Sequence, residues 1–147
     1  MPTTPSLFEF DFTLGVWEVN VTGPQGAKGG LPLRSTITRQ IDGCLLEEHV
    51  SGRAGYEAII FTAVRRRLGE WVKTVVDNRG TSVFLSGRMV DGQMVLTGTV
   101  PGKGGRPEDA RVTWVVRQGG FDERWETTTD GGATWSPLLT AEYRRRG

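Results

Sequence analysis

Leu14-Gly15-Val16-Trp17-Glu18-Val19-Asn20-Val21-Thr22 reads as an extended strand, with Trp17, Val19 and Val21 on one face and Glu18, Asn20 and Thr22 on the other. Successive side chains of an extended chain point to opposite sides, so this period of two predicts a β-strand with one dry and one wet face. The same rhythm continues along the chain. After the first strand near 15–22, further strands are expected near 34–42, 44–51, 56–64, 70–77, 81–87, 93–100, 110–117, 121–128 and 134–145. Between them stand Asp42-Gly43, Arg67 to Gly69, Asn78 to Gly80, Asp91-Gly92, Gly119-Gly120 and Asp130 to Gly132. Aspartate or asparagine beside glycine supplies the positive φ that tight hairpins require. About ten short strands in hairpin succession predict a single all-β domain over 1–147, an antiparallel up-and-down β-barrel. Leu7 to Leu14 is the one candidate for a short N-terminal helix or plug. Gly23 to Leu33, with four glycines and two prolines, and Pro101 to Asp109 are expected to be long loops at the barrel ends.

Composition narrows the function. A chain of 147 residues suits one domain with a proper core, and 37% apolar residues suit a barrel whose outer face is wet. Eighteen basic residues against seventeen acidic ones leave a formal charge of +1, no electrostatic basis for binding nucleic acid or an anionic membrane. The basic tail Arg144-Arg145-Arg146 is expected to be solvated. Cys44 is the only cysteine, so no internal disulfide forms. Met1 to Phe12 lacks the basic start and apolar run of a signal peptide, and no segment has the length of a membrane span. The expectation is a cytoplasmic protein.

Most catalytic and cofactor classes lack their residues. One histidine and one cysteine, with no spaced carboxylate cluster, predict no metal site. Gly102-Lys103-Gly104-Gly105 is not followed by Ser/Thr and a helix, so it is no phosphate cradle. No βαβ unit supports a dinucleotide, and no nucleophile elbow serves a serine–histidine pair using His49. No cofactor is expected.

Strand parity then picks the inner wall. Ile37 and Ile41 share a face with Arg39 between them. In the third strand Cys44, Leu46, Glu48 and Val50 form a more apolar face than Leu45, Glu47, His49 and Ser51, which puts Glu48 inward and His49 outward unless the register slips by one. The fifth strand, Trp71, Lys73 and Val75 against Val72, Thr74 and Val76, is undecided. Later inward faces are Met94, Leu96 and Val100; Val112, Trp114 and Val116; Phe121, Glu123, Trp125 and Thr127; and Trp135, Leu139, Ala141 and Tyr143. Arg39, Glu48, Glu123 and Tyr143 thus point inward, with Lys73 open. Buried charges must pair, meet water in a cavity or bind something polar. A wet cavity is the economical explanation; the alternative is a structural pair of Arg39 with a glutamate closing one barrel end. Candidate ligand-binding residues are Arg39, Glu48, Trp71, Lys73, Trp125 and Tyr143, and candidates for acid–base chemistry are Glu48, His49, Glu123 and Tyr143. Trp17, Trp114 and Trp135 are assigned to core and end caps.

Leu14-Gly15-Val16-Trp17-Glu18-Val19 resembles the Gly-x-Trp opening of the first strand in lipocalins. Phe12 to Trp17, Ile41-Asp42-Gly43-Cys44 with Glu47-Glu48, Trp71 with Asp77-Asn78-Arg79-Gly80, Leu85-Ser86-Gly87, and Trp125-Glu126 with Asp130-Gly131-Gly132 and Trp135 are similar in order to a bacterial family of lipocalin-like proteins known by a domain-of-unknown-function label (DUF1579). The resemblance spans nearly the whole chain and implies a calycin-like barrel with a central cavity; it carries no activity with it. Nitrobindins, ten-stranded haem barrels, are a neighbour, but they need a late-strand histidine and this chain has only His49. Thr128 to Trp135 resembles the Asp box of sialidase propellers, a hairpin whose aspartate caps turn amides. The expected function is binding of a small, mostly apolar molecule in the barrel, oriented by Arg39 and a carboxylate. The alternatives are a cofactor-independent isomerase, cyclase or lyase in the same cavity, or a filled structural barrel, with a homodimer left open.

Overall fold

The computed structural model describes residues 8–23 and 32–146. Ten strands run β1 (Gly15–Thr22), β2 (Leu33–Gln40), β3 (Leu45–Ser51), β4 (Glu57–Arg65), β5 (Glu70–Asp77), β6 (Ser82–Val90), β7 (Gln93–Pro101), β8 (Pro107–Arg117), β9 (Gly120–Thr128) and β10 (Ser136–Arg145). Each pairs antiparallel with its neighbour in sequence, and β1 pairs with β10 to close the barrel. Closure removes every sheet edge. Among the described residues only short 3-10 turns interrupt the strands, and no helix is long and apolar enough to cross a membrane.

The expected alternation builds the wall, and the two undecided registers resolve. In β3, Leu46, Glu48 and Val50 are buried and His49 is exposed; in β5, Trp71 and Lys73 are buried. Several boundaries differ for local reasons. The second strand ends at Gln40, because Ile41 and Asp42 turn to φ of +50° and Gly43 to +88°, which leaves Ile41 exposed and Cys44 outside the ladder. Val116, expected inside, is exposed although its rung partner Phe121 is buried. Trp135 lies in the β9–β10 connection beneath the Arg111 guanidinium, 4.2 Å from its ring centre, rather than in the core. The expected loop 101–109 shrinks to Gly102–Arg106, since Pro101 and Pro107 face each other at the last rung, where a missing N–H costs little. Most of the other expected loop, residues 24–31, lies outside the described residues, as does Leu7.

One end of the barrel is stoppered by the chain's own start. Phe8 to Leu14 makes no helix, only the single 3-10 turn Asp11–Thr13, and drops the Phe10 ring into the barrel against Trp71 and Trp114, edge-to-face with both at 5.1 Å. The Trp17 indole N–H donates to the Thr13 carbonyl at 2.7 Å and so fixes the plug to β1. Arg145 closes the same end, its guanidinium 4.5 Å from the Trp17 ring centre. Gly15 makes room for it, because a Cβ there would stand 2.6 Å from an Arg145 nitrogen. Arg144 bonds the buried Asp122 at 3.0 Å. Two of the three tail arginines are therefore structural, not merely solvated. At the far end Val50, Ala58 and Ile60 pack with Leu33, Tyr56 and Val75.

Two glycines let β6 and β7 approach closely. A Cβ at Gly87 would lie 2.1 Å from the Val95 carbonyl oxygen, and one at Gly98 would lie 2.2 Å from that of Phe84. Because the obstruction is backbone, relaxation must bend a strand. Gly87→Ala is expected to destabilise the fold by about 1–3 kcal/mol, read as a lower urea midpoint at unchanged slope.

Candidate functional site

Between the aromatic stopper and the apolar far end, the barrel carries a belt of polar side chains. They are Ser35 on β2, Glu48 on β3, Thr62 on β4, Lys73 on β5, Glu123 on β9 and Tyr143 on β10, all nearly inaccessible to solvent; Thr62 and Lys73 are direct rung partners, and Glu48 lies two residues from the rung of Ser35, as Glu123 does from that of Tyr143. Two groups form within the belt. Ser35 and Tyr143 donate their hydroxyls to Glu48 Oε2 at 2.7 and 2.6 Å. The indole N–H groups of Trp114 and Trp125 donate to the two Glu123 oxygens at 3.2 and 3.4 Å, and Lys73 Nζ stands 3.7 Å from Glu123 Oε2.

Lys73 is the unusual member. Its side chain is 5% exposed, yet the carboxylate at 3.7 Å and the Trp114 ring centre at 5.1 Å are charge contacts, not hydrogen bonds. Among the described residues every fully enclosed side-chain nitrogen or oxygen has a hydrogen-bond partner. The ammonium, which makes none, is therefore not fully enclosed, and it opens on a small cavity. That cavity is about 10 Å³, the space of one water molecule, and is lined by Phe10, Thr13, Glu48, Thr62, Lys73 and Glu123 among others. The interior is thus packed rather than hollow. A larger recess of about 380 Å³ beside Asp109 and Trp135 lies against β7, β8 and the β9–β10 connection and contains none of the belt.

Burial pushes the Glu48 carboxyl above the usual carboxylate range; Lys73 pulls it back, Glu123 pushes further, and the Tyr143 and Ser35 hydroxyls restrain it. Burial, with the charges of Glu123 and Glu48, raises the Tyr143 phenol well above its usual range, so it serves as a donor. The arrangement offers a carboxyl biased to its neutral form beside an ion pair, in surroundings that strengthen every electrostatic contact.

Of the residues singled out by sequence, Glu48, Lys73, Glu123 and Tyr143 meet in the belt, with Trp125 bonded to it and Trp71 walling the stopper above it. Two do not. Arg39 sits at the barrel mouth, partly exposed, paired with Asp11 and stacked on Phe8 at 5.2 Å; it clamps the plug from outside and pairs with no glutamate. His49 faces out and bonds Glu57 at 2.9 Å. Ser35, Thr62, the Trp114 N–H and Phe10 were missed. Parity with Ile37 and Ile60 would have found Ser35 and Thr62; nothing local in the sequence announces that Phe10 turns inward. The Asp box reading holds as a hairpin: Asp130 accepts from the Thr134 amide at 2.9 Å and from Thr128 at 2.7 Å. The described residues bring no group of three or more metal-ligating side chains together.

A carboxyl whose folded-state pKa is raised stabilises the fold fully below its unfolded value and loses that contribution as pH rises through the folded value. Wild type and Glu48→Gln, unfolded in urea from pH 4 to pH 8, should therefore diverge, the difference moving in favour of glutamine as pH rises above about 4.5. No model of a known protein family matches the chain, and no curated protein matches its sequence.

Proposed function

We propose that the barrel binds a small, mostly apolar molecule in its interior, its polar end held by the Glu48–Lys73–Glu123–Tyr143 belt and its body taking the place of the N-terminal plug. The supporting observation is the belt itself, an ion pair and a third carboxyl enclosed among aromatic and aliphatic side chains. Filling the same space with hydrocarbon is often as stable or more so, and perturbed titratable groups gather at functional sites. The plug suits displacement. It enters as one 3-10 turn, and its Phe10 ring is held by few polar ties, from Glu9 to Trp71, from Asp11 to Arg39 at the mouth and from the Thr13 carbonyl to Trp17. Membership of the lipocalin-like DUF1579 family, suggested by the order of motifs from Phe12 to Trp135, agrees with such a role. Location in the cytoplasm agrees with the single Cys44. Arg39 acts here on the plug rather than on the ligand.

A second reading, acid–base catalysis in the same interior, draws on the Tyr143 hydroxyl bonded to the raised Glu48 carboxyl, a pair able to pass a proton. Recovery of an altered molecule after incubation distinguishes it from binding alone.

Native mass spectrometry of the purified protein, followed by denaturing release, is expected to yield a co-purified apolar molecule. Phe10→Ala opens the seat between Trp71 and Trp114. It should cost about 3 kcal/mol of stability while making indole fluorescence respond to toluene at lower concentration than in wild type. A ligand-free preparation, together with a folded Phe10→Ala protein indifferent to toluene, rejects interior binding.

A further inference from the structure

We propose that the ligand of this interior is an uncharged carbonyl compound, whose ring-sized apolar group takes the seat of Phe10 and whose oxygen enters the small cavity as acceptor for Lys73. This rests on interior binding and adds the chemical class of the ligand.

The shape of the site comes from Phe10. Its ring is held edge-to-face by Trp71 and Trp114 at 5.1 Å, a seat for one flat six-membered ring. Phe10 also lines the cavity of about 10 Å³, so a group attached to a ring in that seat reaches the cavity directly. The cavity admits an atom or two, an oxygen and not a chain.

Donor chemistry sets the polarity. The ammonium of Lys73 opens on the cavity with three N–H donors and no hydrogen bond, although its side chain is almost wholly buried. Thr62, whose hydroxyl also makes no hydrogen bond among the described residues, lines the same space. Glu48 and Glu123 border the same space, but their oxygens already accept hydrogen bonds, so the groups left to serve a ligand atom are the Lys73 ammonium and the Thr62 hydroxyl, and a carbonyl oxygen suits both. An ammonium on the ligand would stand beside the Lys73 charge.

Charge count excludes an anion. Lys73 pairs with Glu123, and Glu48 stands beside them, so the enclosed belt already holds two carboxyl groups to one cation. A carboxylate ligand would bring a third carboxyl group to that single cation in a nearly enclosed space, which is costly. A ketone, aldehyde or ester oxygen accepts from the ammonium and leaves the charge count unchanged.

The test uses three probes of one ring and nearly one size: acetophenone, ethylbenzene and benzoate. They are titrated at neutral pH into the full-length Phe10→Ala protein and into wild type, with indole fluorescence as readout. Acetophenone should bind Phe10→Ala at least about tenfold more tightly than ethylbenzene, as a hydrogen bond to a charged donor provides, and benzoate should bind more weakly than either. In wild type the order is the same at lower affinity. Lys73→Met on the Phe10→Ala background should bring acetophenone and ethylbenzene to equal affinity while ethylbenzene still binds. Lys73→Met/Glu123→Gln, which removes both charges, repeats the measurement should the lone substitution fail to fold. Equal binding of acetophenone and ethylbenzene before Lys73 is replaced overturns the carbonyl assignment and leaves interior binding standing. Tighter binding of benzoate identifies an anion site instead and overturns it equally. Binding of none of the three to folded Phe10→Ala overturns interior binding and this assignment together.

Discussion

An ammonium and two carboxyl groups share the packed middle of this barrel, and holding them there is the constraint on which the other interior choices turn. Lys73 and Glu123 must lie close because neither is stable alone in such surroundings. Glu48, left without a cation of its own, is biased to its neutral form and steadied by two hydroxyl donors. Trp114 and Trp125 are present as hydrogen-bond donors as much as bulk, since they supply the N–H groups that Glu123 needs. Aromatic packing above and aliphatic packing below the belt then keep solvent from dissolving the pair.

The barrel was legible because its signal is local and redundant. Alternation such as Trp17, Val19 and Val21 repeats in strand after strand, and the hairpins carry glycine-bearing turns such as Asp91-Gly92, Gly119-Gly120 and Asn78 to Gly80. Boundaries failed where backbone conformation overrode composition: Ile41 looked like a core residue but stands at positive φ in a turn, and Trp135 looked like a strand residue but covers a surface hairpin.

The belt was legible only in part. Parity brought Glu48, Glu123 and Tyr143 inward, and Lys73 followed once β5 had a register, because these positions obey the same alternation as the core. Arg39 obeyed it too, yet its long side chain leaves the barrel mouth to reach Asp11. What alternation could not convey is occupancy. Whether charged positions surround a lake of solvent or a packed interior depends on Phe10, and the fate of that ring is decided by a segment with no periodicity at all.

Because the barrel is a simple meander, β1 against β10 is its one strand pairing between elements far apart in sequence, and it brings Trp17 and Arg145 together at the stoppered end. Such an architecture tolerates circular permutation in principle, with new termini at an exposed connection such as Gly102–Arg106. Joining the old ends has a particular consequence. A linker from Arg146 to Phe8 tethers the plug on both sides, so that it must lift as a closed loop. Linker length then becomes a dial on how readily the interior opens, set without altering any residue of the belt.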